Sequence, residues 1–474
     1  MKNIKRFIFP LSLVLLLAAC SRNSGANSSK KEESKSSENP SSVVSSSSEA
    51  PSSSDVVSSD TSESQPASES SIPEVSDFTL IDPTDTSMLS ENCKAYIDAM
   101  REQEEEYADE SEDKDFKYKY FHFDGNDFVS VENFLDEGEV EGQNKTVSGK
   151  IPDRSDKNMG VNLKFESDLD LEASEYKVLV SLDEDDFSDA KEFAVEQDGE
   201  DFVANANNLF VNTEYFWKVV TEDDESPVSS FATGDYPRWI SARPLYNVRD
   251  NGGYMTYSGK RVKQGLVFRG GEITSTTVSG HYNTIAESSK EVFRNEMKIG
   301  FELDLRGTSD IYDNYKACAF AEDGDIDYEM HAIKSYEETF TKTRSEVAAI
   351  FHILANADEK PVYYHCFGGA DRTGTLGFLL NGLLGVSYTD LVIDFELTSY
   401  SSINNEHIRN HMNGHQHQYD RWPALINQIK TDTTGGYEWD DDALLMENIE
   451  NFLVQACSVD QDDIDAIKDI MLED

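Results

Sequence analysis

The sequence has few cysteines, few basic residues for its number of acidic ones, and no apolar run as long as a membrane-spanning helix. Its five cysteines stand at positions 20, 93, 318, 366 and 457 and show none of the paired spacings of a zinc site or a dense disulfide framework. Lysine and arginine number 41 against 92 aspartate and glutamate residues, which gives a formal net charge of -51. Because so acidic a chain repels the phosphate backbone, binding to DNA or RNA is not expected.

The first segment, MKNIKRFIFPLSLVLLLAAC, places three basic residues before an apolar run over 7–17 and small residues after it. That run is shorter than the roughly 20 residues of a spanning helix, so residues 1–19 are predicted to be an export signal. Leu-Ala-Ala-Cys, ending at Cys20, resembles a bacterial lipoprotein box. The resemblance implies cleavage before Cys20 and lipidation of its sulfur, with the protein anchored to the membrane on its extracytoplasmic face. The alternative is a secretory signal with a chance cysteine at the cut.

Composition divides the rest of the 474 residues into four parts. Residues 20–75 are dominated by serine and cannot bury enough apolar surface to offset chain entropy, so they are predicted to be a disordered tether. Residues 76–142 form an acidic, partly helical region to which no chemistry is assigned. Residues 143–235 alternate apolar and polar positions with period two, which predicts an all-β antiparallel sandwich. Residues 236–474 alternate apolar strands with helical segments, which predicts an α/β domain whose mostly parallel central sheet is flanked by helices.

The sandwich segment ends in a pattern with a family likeness. The stretch LFVNTEYFWKVV, followed by a strand ending in Phe-x-Thr, resembles the last strands of fibronectin type III domains. The resemblance implies a spacer or binding module without a catalytic cluster. An immunoglobulin-like sandwich outside that family is the alternative.

One stretch, HCFGGADRTG at 365–374, combines a nucleophile, two glycines and an arginine in a strand-loop-helix setting. In such a loop the backbone N–H groups and the helix N-terminus form an anion site, and Gly368 and Gly369 allow the close approach that it requires. The same partial charges would acidify the thiol of Cys366. Arg372 can return to the loop as a planar fork for two phosphate oxygens. The pattern predicts a phosphate pocket that holds a reactive sulfur.

The same residues carry a resemblance to a known family. Cys-x5-Arg preceded by His is the signature of the protein tyrosine phosphatase superfamily, and the longer form HCxxGxDRTG resembles its bacterial tyrosine and lipid-like phosphatase branch. Three upstream segments resemble blocks of that branch in the same order: LYNVRDNGGY (245–254), GLVFRGGEI (265–273) and FELDLRG (301–307).

The resemblance implies a mechanism without a cofactor or metal. Cys366 would attack phosphorus and form a cysteinyl-phosphate that water then hydrolyses. Arg372 and the loop amides would hold the phosphate oxygens. His365 is assigned a supporting role around the cysteine. Thr373 could donate its hydroxyl to the sulfur, or alternatively cap the helix. The loop residues assigned to substrate binding are Phe367, Gly368, Gly369, Ala370 and Thr373.

Two carboxylates are candidates for the acid that protonates the leaving group. In the bacterial branch the aspartate directly before the arginine is thought to supply the proton, which here is Asp371. Asp304, in the Asp-Leu-Arg segment, is the second candidate and is also assigned to substrate binding. Its alternative role is an ion pair with Arg306 or Arg372 that orders the end of the strand.

The predicted substrate is a phosphorylated protein or a small phosphate monoester. Lipid-active members of the branch have lysine where this chain has Ala370, and that absence favours phosphotyrosine. A phosphoinositide or inositol-phosphate phosphatase is the alternative within the enzyme class. A surface protein that binds phosphate without turnover is the alternative outside it.

The remaining histidines and cysteines are given structural roles. The histidines of HIRNHMNGHQHQYD lack a nearby pair of carboxylates and are interpreted as surface and helix-end residues rather than metal ligands. Cys93, Cys318 and Cys457 are interpreted as buried thiols.

Overall fold

A computed structural model describes most of the chain beyond the predicted tether. The described residues are 77–110, 158–273, 286–308, 326–401 and 442–473, with a few isolated positions between these ranges. The predicted export signal, Cys20 and the serine-rich tether lie outside them. Among the described residues, no helix is both long enough and apolar enough to cross a membrane.

The described strands are β1 (Phe78–Ile81), β2 (Val140–Glu141), β3 (Thr146–Val147), β4 (Val161–Ser167), β5 (Lys177–Ser181), β6 (Lys191–Asp198), β7 (Asp201–Ala206), β8 (Glu214–Val220), β9 (Ser229–Ala232), β10 (Arg249–Asp250), β11 (Val267–Gly270), β12 (Phe301–Asp304), β13 (Asp327–Met330), β14 (Val362–His365), β15 (Arg409–Asn410) and β16 (Gly414–His415). The described α-helices are α1 (Glu91–Glu110), α2 (Glu287–Glu291), α3 (Glu337–Lys342), α4 (Arg344–Leu354), α5 (Asp371–Leu383), α6 (Tyr388–Leu397), α7 (Asp442–Cys457) and α8 (Gln461–Met471). A π-helical turn, Val292–Glu296, continues α2, and short 3-10 turns lie at Ala173–Glu175 and Thr398–Tyr400.

Seven antiparallel strands form a sheet in the order β1-β4-β7-β6-β5-β8-β9. The sheet folds over itself, so that strands that are not neighbours in this order pack face to face. Phe165 of β4 contacts Tyr176, the residue before β5, with 5.4 Å between the ring centroids. The inward positions predicted from the period-two pattern form one buried cluster: Val161, Leu163, Phe165, Tyr176, Val178, Val180, Tyr215, Trp217 and Val219. The sheet-rich region therefore has its own core.

The sandwich starts earlier in the chain than the sequence pattern indicated. Strand β1 belongs to the acidic region expected at 76–142, yet it pairs with β4 from Phe78 opposite Ser167 to Ile81 opposite Lys164. The following helix, α1, instead joins the core of the α/β domain, where Tyr96 and Ile97 are fully buried. Helix α1 is the helical part of that acidic region, whereas β1 has only four residues, too few for a period-two pattern to stand out.

Five strands form the central sheet of the α/β domain in the order β10-β11-β14-β12-β13. The strands from β11 to β13 run parallel, and β10 is antiparallel to β11 at the edge. Side chains alternate between two cores: Val362 and Tyr364 face the core formed with α4 to α8, and Tyr363 faces a smaller core with Phe293. The central strands β11, β12 and β14 are covered on both faces, as is typical of parallel sheets, and the charged side chains that they carry, Arg269, Glu302 and Asp304, are buried.

The register places the carboxyl ends of three strands at one level. Gly270 of β11 and Asp304 of β12 both lie opposite His365 of β14. In open α/β sheets the functional site lies beyond these ends. Here that position is occupied by the loop between β14 and α5.

The helices after this loop follow the sequence pattern closely. Helix α5 ends before Gly385, whose φ is +86°. The side chain of Ser387 then caps α6 by accepting the amide of Asp390 at 3.1 Å. The last helix, α8, buries Ile464, Ile467 and Met471.

Candidate active site

The loop at 366–370 connects a fully buried strand to the uncapped start of a helix. Strand β14 ends at His365, and α5 begins at Asp371, one residue earlier than the sequence pattern indicated. The N-cap residue, Ala370, has a side chain that cannot accept a hydrogen bond, so no side chain caps the first amides of α5. The positive end of α5 is therefore directed at the loop.

Cys366 lies at the bottom of this loop with 3% of its surface exposed. Burial by itself raises the pKa of the Cys366 thiol, but the Arg372 charge and the Thr373 hydroxyl and amide hold that pKa below its ordinary value. Thr373 Oγ1 is buried and has no partner of standard hydrogen-bond geometry among the described residues, and its hydroxyl acts on the Cys366 sulfur. The site thus stabilises a thiolate.

The carbonyl groups of the loop are held away from its centre. Asn247 Nδ2 donates to the carbonyl oxygens of Gly369 at 3.0 Å and Gly368 at 3.3 Å. Arg269 Nη2 donates to the same Gly369 oxygen at 3.1 Å, and the Glu272 amide donates to the Phe367 oxygen at 3.0 Å. Because the N–H and C=O of a trans peptide point in opposite directions, the amides face the other side, above the sulfur. This arrangement is a preformed anion nest.

Gly369 is required by both its conformation and its surroundings. Its φ is +67°, in the left-handed region, and a Cβ at this position would lie 2.4 Å from the carbonyl carbon of Gly270. At Gly369 the loop is therefore in direct contact with the backbone at the end of β11.

Asp394 of α6 is the hub that orders the groups behind the loop. Its carboxylate pairs with Arg269, accepts from Arg249 at 3.3 Å and accepts from the hydroxyl of Tyr254 at 3.3 Å. Arg249 in turn donates to Asn247 Oδ1. These contacts fix Arg269 and Asn247, the two donors that hold the loop carbonyls. The sequence analysis missed Asp394, whose signal is an acidic residue within the apolar helix segment LVIDFEL.

His365 is completely buried behind the cysteine. Its Nε2 lies 2.8 Å from Glu302 Oε1 and its Nδ1 lies 3.1 Å from the carbonyl oxygen of Cys366. Burial lowers the pKa of His365, but Asp304 and Glu302 outweigh burial and raise that pKa above its ordinary value. His365 thus lies directly behind the cysteine, in contact with its carbonyl group, and the supporting role assigned from the sequence stays a prediction.

Arg372 stands half-buried in the first turn of α5, and its Nη1 lies 3.5 Å from the carbonyl oxygen of Leu305. Its charge acts on the Cys366 sulfur. The guanidinium and the thiolate therefore belong to one site, as the spacing of the two residues predicted.

The two candidate acids lie in different surroundings. Asp371 is partly exposed, and its Oδ1 accepts from the hydroxyl of Tyr336 at 2.7 Å. Asp304 is fully buried, and its two oxygens accept from Arg306 at 2.7 and 2.8 Å. Its Oδ2 also accepts from Tyr328 at 3.1 Å.

These contacts make the two carboxyl groups differ in their ability to donate a proton. Burial raises the pKa of Asp304, but the His365 charge and the contacts with Arg306 hold that pKa below its ordinary value. A carboxylate kept ionised by a bidentate arginine is a poor proton donor. Asp304 thus has the strand-ordering contacts that were its alternative interpretation.

The α/β domain is also similar to proteins that are already known. Residues 240–473 match the family model described as "Tyrosine phosphatase family". The α/β domain is a cysteine-based phosphatase. None of the curated proteins matches the chain. One similar solved structure is the core catalytic domain of the PP-IP phosphatase SIW14 from S. cerevisiae in complex with citrate, with 14% identity, coverage of 33% of this chain and 81% of that chain, and a TM-score of 0.22.

Among the described residues, the cysteines other than Cys366 are also buried. Cys93 and Cys457 are buried thiols, and Cys318 lies outside the described residues. Within the described ranges no group of three histidine, cysteine or acidic side chains is placed to hold a metal ion. Of the histidines in HIRNHMNGHQHQYD, His407, His411 and His417 lie outside those ranges, and for His415 only the backbone is described.

Proposed function

We propose that the phosphatase domain hydrolyses phosphate monoesters, with phosphotyrosine in proteins as the favoured substrate, through a cysteinyl-phosphate on Cys366. The observation that carries the proposal is the lowered pKa of this thiol at the centre of a preformed anion nest. A thiolate is the nucleophilic form of cysteine, and preorganised donors stabilise the charge of the transition state without reorganisation.

The first step transfers the phosphoryl group to sulfur. The Cys366 thiolate attacks in line, an S–P bond forms, and the P–O bond to the leaving group breaks. Arg372 and the loop amides hold the three equatorial oxygens. Asp371, at the rim of the loop and partly exposed, donates its proton to the leaving oxygen.

The second step returns the enzyme to its starting state. Water attacks phosphorus and gives its proton to the Asp371 carboxylate, while the S–P bond breaks and releases inorganic phosphate. The Thr373 hydroxyl, whose effect on the sulfur lowers the thiol pKa, stabilises the departing thiolate.

Ala370 supports a monoester rather than a multiply phosphorylated headgroup. It provides no second positive charge between Gly369 and Asp371, and the chain as a whole carries a formal charge of -51. A phosphotyrosyl side chain brings one phosphate and a flat ring, and so needs no such charge.

The proposal is tested by comparing kcat/KM on a phosphotyrosyl peptide with that on phosphoinositide and inositol phosphates. We expect the peptide to be the better substrate and Cys366→Ser to abolish turnover of both classes while anion binding remains. Higher rates on the inositol phosphates would overturn the substrate assignment alone. A parent protein without turnover that still binds phosphate would leave only the binding function.

The sandwich is proposed to be a fibronectin type III-like spacer. Tyr215 lies at the start of β8. Its hydroxyl accepts a hydrogen bond at 2.8 Å from the amide of Phe210, five residues upstream. That contact is the tyrosine corner found in immunoglobulin-like sandwiches. It lies in the Asn-Thr-x-Tyr turn on which the resemblance rests.

Anchoring through a lipid on Cys20 is proposed from the N-terminal sequence alone. Leu-Ala-Ala-Cys ends a short apolar run, and the sequence directly after it loses hydrophobic character. We expect the protein expressed in a bacterium to fractionate with membranes and to incorporate labelled fatty acid. Cys20→Ala should lose the label, and a label that persists would refute the anchor.

A further inference from the structure

We propose that Tyr336 is a positioning residue that holds the general acid Asp371 in its catalytic orientation. This inference rests on the proposed function, since it assigns a second residue to the proton transfer. The geometry that carries it is the hydrogen bond from the Tyr336 hydroxyl to Asp371 Oδ1, at 2.7 Å. This contact orients the Asp371 carboxyl group at the rim of the loop.

A closed set of hydrogen bonds ties the tyrosine to the start of α5. The Thr375 hydroxyl donates to the carbonyl oxygen of Asp371 at 2.8 Å, and Thr375 Oγ1 accepts the amide of Tyr336 at 2.9 Å. Together with the contact to the Asp371 side chain, these bonds join three residues in a ring. Both the main chain and the side chain of Asp371 are therefore fixed with respect to Tyr336.

The backbone of Tyr336 is strained at this position. Its φ of 54° and ψ of -136° lie outside the regions that residues with a side chain normally adopt. Such a conformation is unfavourable and persists only where the surroundings impose it. Here the surroundings are the first turn of α3, which begins at Glu337, and a ring contact with Phe395 at 6.3 Å between centroids. The tyrosine ring is 1% exposed, so the hydroxyl has little freedom to leave Asp371.

The expected effect depends on how much the leaving group needs a proton. p-Nitrophenolate is a stable anion and leaves with little protonation, whereas the phenolate of phosphotyrosine needs the acid. We expect Tyr336→Phe to lower kcat/KM about tenfold on a phosphotyrosyl peptide and much less on p-nitrophenyl phosphate, because losing one hydrogen bond, which contributes up to about a factor of ten, misplaces the protonated Asp371. Loss of packing alone would lower both rates by the same factor.

A double-mutant comparison separates positioning from stability. If Tyr336 acts only through Asp371, adding Tyr336→Phe to Asp371→Asn should change neither rate further. Tyr328→Phe is the matched control, since it removes an equivalent tyrosine-to-carboxylate hydrogen bond at Asp304. We expect it to change the two rates by equal factors.

A second pair of variants covers the case in which Tyr336→Phe does not fold. Thr375→Val breaks the ring without touching the tyrosine hydroxyl, and Thr375→Ser keeps the hydrogen bonds. We expect the valine variant to show the leaving-group dependence and the serine variant to restore parental rates. Equal losses on both substrates, or additive losses in the double mutant, would overturn the role of Tyr336. An active parent whose Asp371→Asn variant keeps its rate on the peptide would instead refute Asp371 as the acid.

Discussion

The reactivity of Cys366 is set by residues within seven positions of it in the chain. Burial opposes ionisation of the sulfur, and Arg372 and Thr373 outweigh burial. The two favourable contributions come from the first turn of α5, so the same short stretch supplies the nucleophile and its activation. For this reason the sequence pattern alone predicts Cys366 as the nucleophile.

The pH dependence of this sulfur provides a direct measurement. We expect the ultraviolet absorbance of the thiolate to develop with a midpoint below the ordinary cysteine pKa of about 8.5. Because the Arg372 charge lowers the pKa of Cys366, Arg372→Met should move the midpoint upward. Subtracting a titration of Cys366→Ser removes the signal of the other cysteines. A parental midpoint at or above the ordinary value would contradict the proposed activation.

The sign of the associated stability change follows from the lowered pKa. The fold favours the ionised sulfur, so this contribution to the free energy of unfolding is fully present above the pKa of the unfolded chain. It is lost as the pH falls through the folded value. The unfolding free energy of the parent, relative to Cys366→Ser, should therefore rise with pH across this window.

At the scale of elements, the phosphate loop is held by the neighbouring strand β11 and by the segment that leads into β10. Its carbonyls are bound by Asn247 before β10 and by Arg269 of β11, and Gly369 lies against the backbone of Gly270. The loop is thus shaped before any phosphate arrives, which lowers the reorganisation cost of catalysis.

Gly369→Ala tests this contact. A Cβ would be strained by the φ of +67° and would collide with the Gly270 backbone, so we expect lower stability and a loss of activity of at least tenfold. Gly199→Ala is the matched control, because Gly199 has a φ of +71° in the sandwich but no atom within 4 Å of the new Cβ. It should lose about 1 kcal/mol of stability and keep parental kcat/KM. Equal activity in the two variants would show that the contact is dispensable.

Across the whole molecule, the buried Arg238 of the phosphatase domain joins that domain to the sandwich. Arg238 Nη1 lies 2.7 Å from Asp250 Oδ2, and the other nitrogens of Arg238 donate to the carbonyl oxygens of Asn208 and Leu209 at 3.0 Å. Asp250 belongs to β10, next to Arg249, which contacts Asn247 behind the loop. The position of the sandwich is therefore linked to the edge strand that supports the active site.

Removing Arg238 should weaken both modules. Arg238→Ala leaves Asp250 buried without its cation, which costs about 3–5 kcal/mol, so we expect a lower unfolding midpoint in calorimetry. Lys164→Met, which removes the exposed pair with Asp198, should change the midpoint far less. A midpoint for Arg238→Ala that equals that of the parent would show that the joint contributes nothing.

The parts of the structure that could be predicted from the sequence depend on residues that are close together along the chain. The loop, the helix after it and the period-two strands each depend on neighbouring residues. The supporting contacts join distant positions, such as Arg269 with Asp394 at a separation of 125 residues and Tyr336 with Asp371 at 35. Neither pair leaves a periodic or compositional signal. Asp304 is a different case, because its contact with Arg306 is only two residues long and was predicted from the sequence as the alternative to a place in the substrate pocket.

Helix α1 has a consequence for how the enzyme can be divided. Tyr96 donates to Glu396, and Arg101 pairs with Asp390 at 2.9 Å, so a helix at Glu91–Glu110 is part of the catalytic core. The sandwich strands from β4 to β9 follow this helix in the chain. Since β1 precedes this helix, the sandwich and the phosphatase domain alternate along the chain, and a truncated protein that begins at Tyr236 would lack one of the helices of the phosphatase core.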